Sequence, residues 1–134
     1  MTKQIKQPEY VAYGGRKFTV EWYHDTAGYS QALDFADSLN DADKRKLAVL
    51  LSTLGDMGQI HNKEKFRYEG DKIYAFKPQP HRFLSFFFSD SRVIITNAFT
   101  KKQNKLPAGE KARALKCRQD YENRVNAGSY YDKS

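Results

Sequence analysis

Two short, almost wholly apolar runs, Arg82–Phe88 and Val93–Phe99, limit what this chain can fold into more than any other feature. Neither approaches the roughly 18 apolar residues that cross a bilayer. Nor do they show the alternate polar positions of a sheet with one wet face. Strands apolar on both sides belong in the middle of a sheet that helices cover. Ser89-Asp90-Ser91 between them reads as a hairpin loop, so the two runs are neighbours.

The rest of the chain supplies the cover and the flanking strands. Lys17–Tyr23 alternates Phe18, Val20 and Trp22 with Thr19, Glu21 and Tyr23, the period of a strand. Leu33, Phe35, Ala36 and Leu39 follow at helical spacing after Gly28 and Ser30, until Asn40-Asp41 interrupts. A second helix carries Leu47, Leu50, Leu51 and Leu54 on one stripe, with Asp41 or Asp43 as its cap and Gly55 or Gly58 as its stop. Lys65–Glu69 and Ile73–Lys77 read as a hairpin around Glu69-Gly70-Asp71, and Pro78-Gln79-Pro80 breaks the chain before the apolar runs. Past them comes a Lys-rich elbow, Phe99–Pro107. Pro107 suits the first turn of a helix, where its missing N–H has no helical partner. Ala114, Cys117, Tyr121 and Val125 form that helix's packing face, Lys111, Lys116, Arg118 and Arg124 point elsewhere, and Gly128 ends it.

These elements predict an α+β fold: an N-terminal strand, a helical hairpin, a four-stranded antiparallel meander and a C-terminal helix, on a mixed or antiparallel sheet. Residues 1–15 read as a flexible arm, 16–127 as one domain, and 128–134 as a tail whose Tyr130 and Tyr131 can fold back. At 134 residues a single core needs no disulfide or metal. Cys117 has no second Cys to pair with, His24, His61 and His81 are too scattered for metal-ligand spacing, and no cofactor is expected. Without a secretory h-region or a membrane span, the expected location is the cytoplasm.

The formal charge of +7 is uneven. Residues 1–60 carry seven Lys/Arg against eight Asp/Glu, and residues 61–134 carry sixteen against eight. A field concentrated in one half favours a polyanion, with nucleic acid the usual one, although a basic surface can also serve solubility alone.

The element order, together with Ile73–Lys77, Arg82–Phe88, Ile94–Lys102 and the series Pro107, Glu110, Ala114, Asp120, Tyr121, resembles the phage-derived Gp49-like, HigB-type branch of the RelE toxin superfamily. The likeness covers roughly residues 60–121 and is most specific through the elbow. It implies a small α+β ribonuclease, a toxin of a toxin–antitoxin pair that cuts messenger RNA on the ribosome and is neutralised by a cognate antitoxin. Under that resemblance Lys77 stands where the family commonly has Arg, Ala75 replaces a Glu, Arg82 matches the second basic position, Lys101 and Lys102 the Lys-Lys pair, and Lys105 the Lys after it. Lys for Arg keeps the charge but loses the bidentate fork. Ala75 and Lys77 therefore leave open an alternative, a nucleic-acid-binding or protein-interaction module that keeps the fold without the reaction.

RNA cleavage by 2′-OH attack needs a base, charge on the phosphorane, and an acid for the leaving 5′ oxygen. Arg82 and Lys77, brought together by the Pro78-Gln79-Pro80 turn, suit the second role. His81, Tyr74, Lys101 and Lys102 are the proton-transfer candidates, His81 starting nearest neutrality. Catalytic candidates are thus Lys77, His81, Arg82 and Lys102; RNA-binding candidates are Arg67, Tyr68, Tyr74, Lys101, Lys105 and Lys116. Adjacent strand residues point to opposite faces, so only one of Lys101 and Lys102 faces a common site unless the strand bulges or has ended.

Overall fold

A computed structural model describes residues 4–5, 8–89, 91–102 and 105–133. Its main sheet has six strands in the order β2-β3-β7-β6-β5-β4: β2 Val11–Gly14, β3 Thr19–Trp22, β4 Phe66–Tyr68, β5 Tyr74–Phe76, β6 His81–Phe88 and β7 Arg92–Thr100. The two largely apolar runs, β6 and β7, lie at its centre, where both faces are covered. β4 to β7 form the expected antiparallel meander, and β3 joins β7 in parallel, so the sheet is mixed. The α+β expectation holds.

Helices cover both faces. On one lie α1, Gln31–Asp37, and α2, Asp41–Met57, whose Leu47, Leu50, Leu51 and Leu54 pack with Val20, Phe76, Phe83, Val93 and Ile95. On the other lies α3, Ala108–Asn126, whose buried Ala114 and Tyr121 meet Ile73, Ala75, Leu84, Phe86 and Ile94. Local chemistry sets the helix ends. The α2 cap is Asn40, accepting from the Asp43 N–H at 2.8 Å, rather than Asp41 or Asp43. Gly58, at φ 83°, closes the helix in the left-handed region, whereas Gly55 stays inside it.

Two boundaries need correction. Residues 8–14, read as part of a loose arm, form a 3-10 turn at Pro8–Tyr10 and then edge strand β2; a further short strand, β1 Gln4–Ile5, pairs with β8, Asp132–Lys133. The C-terminal stretch is likewise built in. Tyr130 and Tyr131 are buried; the Tyr131 hydroxyl donates to Glu21 Oε1 at 2.7 Å and meets the Tyr121 hydroxyl at 2.5 Å, and the Arg92 guanidinium lies 4.6 Å from the Tyr131 ring centroid. A buried carboxylate needs such partners. Glu21 thereby holds Tyr131 against β3.

One irregularity positions everything that follows. Along β6, Arg82, Leu84 and Phe86 lean toward α3, while Phe83 leans toward the helical hairpin. In β7 the register passes from Ile95, opposite Ser85, to Asn97, opposite Leu84, leaving Thr96 as an extra residue. Its hydroxyl donates within the bulge, to Leu84 O at 3.2 Å and Asn97 Oδ1 at 2.6 Å. A one-residue insertion reverses the faces beyond it. Asn97, Phe99 and Lys101 consequently fall on the α3 side, where Asn97 Nδ2 donates to Glu110 Oε1 at 3.1 Å.

Candidate nucleic-acid interface

The α3 face of the sheet ends in an open cleft of about 660 Å³ at the C-terminal end of β7. Four of its cations come from the strands of the sheet and their ends. Arg67 is the middle residue of edge strand β4, Lys77 follows β5, Arg82 begins β6, and Lys101 follows β7. Cross-strand register puts them on one face: Arg67 stands opposite Ala75, two residues before Lys77, and Arg82 opposite Phe99, two before Lys101. Lys105 and Lys111 close the far side from the elbow and the first turns of α3. Pro107 and Ala108 bring the start of that helix to the same wall. Among the described residues no side chain caps it, and its positive dipole end adds to the field. Glu64 and Glu69 are the two carboxylates among the lining residues.

Arg82 is the anchor. It is only 6% exposed, and its Nη1 donates to Gln79 Oε1 at 3.0 Å and to His81 O at 2.9 Å. Those two bonds engage one nitrogen of the guanidinium. Burial pushes its pKa below the ordinary value, against the pull of Glu69 and Glu64. Lys77 Nζ donates to Lys63 O at 3.0 Å, and its pKa is lowered first by burial and then by the Arg82 charge. Lys111 is paired with Asp71 at 2.8 Å.

The other sequence candidates divide. Lys101 lines the cleft; Lys102 turns to a separate concavity with Phe35, Thr100 and Glu110. The Thr96 bulge settles that choice. His81 lies on the face opposite Arg82, where its Nε2 is 2.9 Å from Asp43 Oδ2 and its Nδ1 3.1 Å from Thr100 Oγ1, with Phe35 edge-on to the ring. His81 therefore does not join the cationic group. Tyr68 and Tyr74 also face the hairpin side, in mutual contact at 5.0 Å between ring centroids. Lys116 is exposed on the outer surface of α3 and lines none of these concavities. Sequence reasoning missed Glu64, Glu69 and Lys111 as cleft residues. Only the last carries a local signal, one turn past Pro107.

Such an arrangement can hold a phosphodiester and place positive charge around it while α3 and the sheet form its walls. The cleft and the two-sided sheet define a small α+β module that gathers Arg67, Lys77, Arg82, Lys101, Lys105 and Lys111 around one concavity. Residues 34–119 match the family described as phage-derived protein Gp49-like, and the chain belongs to that family. Membership supports a toxin-like module of phage origin. No curated protein matches the chain. Among the described residues, no helix is long and apolar enough to cross a membrane, and no group of His, Cys, Asp and Glu has the makings of a metal site.

Proposed function

We propose that the protein is a toxin-like endoribonuclease that cuts messenger RNA, on the ribosome, by attack of a ribose 2′-OH on the adjacent phosphate. The observation that carries this reading is the convergence of Arg67, Lys77, Arg82 and Lys101 on one face of the sheet end, next to the start of α3. In the reaction the 2′ oxygen loses its proton and bonds to phosphorus, the bond to the 5′ oxygen breaks, and that oxygen takes up a proton. The products are a 2′,3′-cyclic phosphate and a 5′-hydroxyl. Arg82 and Lys101 stabilise the crowded phosphorane. Lys77, whose pKa burial and Arg82 lower, is the group in the cleft best suited to exchange a proton. Its messenger substrate and a neutralising cognate antitoxin belong to the same proposal, as does action in the cytoplasm.

A binding module without the reaction is the second reading, favoured by the absence of an imidazole from the cleft lining, His81 being held by Asp43. Expression in a bacterial host separates the two. Growth arrest with cut transcripts, both relieved by Arg82→Ala, is the expected outcome. Soluble folded protein that leaves growth and transcripts intact, yet retains RNA at low salt, would establish the binding module instead.

A further inference from the structure

We infer that the surface behind β4 is a nucleobase subsite, so that the RNA held in the cleft is single-stranded and turns one unpaired base around the edge of the sheet. This rests on the polyanion reading of the cleft. A second groove of about 810 Å³ lies on the hairpin side of β4 and β5 and shares Glu64, Arg67 and Lys77 with the first. Its wall is aromatic. Phe66 and Tyr74 are parallel at 5.5 Å between centroids, Phe87 meets Tyr74 edge-on at 5.1 Å, and Tyr68 leans on Tyr74. Tyr68 is 53% exposed and Phe87 36%, so the cluster is left open at its outer rings.

Neighbouring residues of one strand link the two grooves. β4 is the sheet's edge, and pleating sends Arg67 toward the cleft and Tyr68 toward the aromatic wall. A backbone crossing this edge keeps its phosphate by Arg67 and Lys77 while its base reaches Tyr68. The rim selects the occupant: Lys63, Arg67 and Lys77 border the groove against Glu64 alone among acidic residues. An apolar protein segment would find aromatic surface there but nothing to match those charges. A base with its phosphate uses both, and only an unpaired base offers its π face to a side chain.

The test is the affinity of a fluorescently labelled 2′-O-methyl oligonucleotide, which cannot be cleaved by 2′-OH attack, measured by anisotropy at low salt. Tyr68→Ala is expected to weaken binding about tenfold, as loss of one stacked base does. Tyr68→Phe, which keeps the ring, is expected to bind like the parent. An abasic residue scanned along the oligonucleotide should lower affinity at one position, where Tyr68→Ala then has no further effect. If Arg82→Ala weakens binding but Tyr68→Ala and every abasic position do not, the subsite is wrong and the cleft reading stands. If Arg82→Ala is also without effect, or the parent binds nothing, both fall. A duplex that binds equally well would overturn the single-strand assignment. Self-association abolished by Tyr68→Ala, with oligonucleotide affinity unchanged, would give the groove to a second copy of the chain.

Discussion

Replacing Arg82 with Met separates what the cleft does from what holds the fold together. Arg82 is 6% exposed, its guanidinium donates to Gln79 Oε1 and His81 O, and Lys77 is a cationic neighbour. Two hydrogen bonds from a charged donor contribute about 1.5–3 kcal/mol each. Against them stands the desolvation of a buried cation, an effective several kcal/mol. Met fills a similar volume without that cost, so the terms nearly cancel and stability should change by about 1 kcal/mol or less. Activity should behave differently. A donor aimed at developing charge contributes about 10²–10³ in rate, equivalent to about 2.7–4 kcal/mol. Urea denaturation gives the first quantity. Single-turnover cleavage of a messenger on programmed ribosomes gives the second. Loss of about 3 kcal/mol of stability would make Arg82 a structural residue. Cleavage within tenfold of the parent, in a folded variant, would refute its role at the phosphate.

Other outcomes follow from the same geometry. Lys101→Ala should reduce the salt dependence of RNA binding by about one phosphate contact, a slope change of about 0.7, whereas Lys102→Ala, facing the other concavity, should leave the slope unchanged. Gly15→Ala should destabilise more than Gly55→Ala. An added methyl at Gly15 would lie 2.3 Å from the Gly55 backbone, and one at Gly55 would lie 2.7 Å from the Tyr13 ring, so the second should cost about 1–3 kcal/mol in urea unfolding and the first more. The Asp43 pKa is held below the usual carboxylate value, first by its hydrogen bond with His81. A depressed folded pKa gives stability that is present above the unfolded value, about 3.9, and lost as pH falls through the folded one. Urea midpoints should therefore drop less steeply below pH 4 in Asp43→Asn than in the parent. The Cys117 thiol, raised to about 11 mainly by burial, should resist iodoacetamide at pH 8 until the chain is unfolded.

Much of the fold was legible because its signals are local. The leucine stripe of α2, the alternation through β3 and the two apolar runs each announce period and burial within a few residues. The edge strand β2 was not. Val11–Gly14 is short and half-buried, and it earns its place by pairing with β3 rather than by its own pattern. The buried tail was foreshadowed only by two tyrosines. Their partners, Glu21 and Tyr121, are far away in the chain.

By itself the sequence determined the order of elements from β3 to α3, the central position of β6 and β7, and the confinement of excess positive charge to residues 61–134. Those properties depend on composition and short-range period. Tertiary structure alone decided which of the other candidates line the same cleft as Lys77 and Arg82. The Thr96 bulge turns Lys101 into the cleft and Lys102 away, cross-strand register brings Arg67 and Lys77 beside Arg82, and Asp43 holds His81 on the opposite face. Strand parity can be counted along a sequence only until an extra residue interrupts it. Where that residue falls is set by the partner strand and the packing on both faces, which no local pattern encodes.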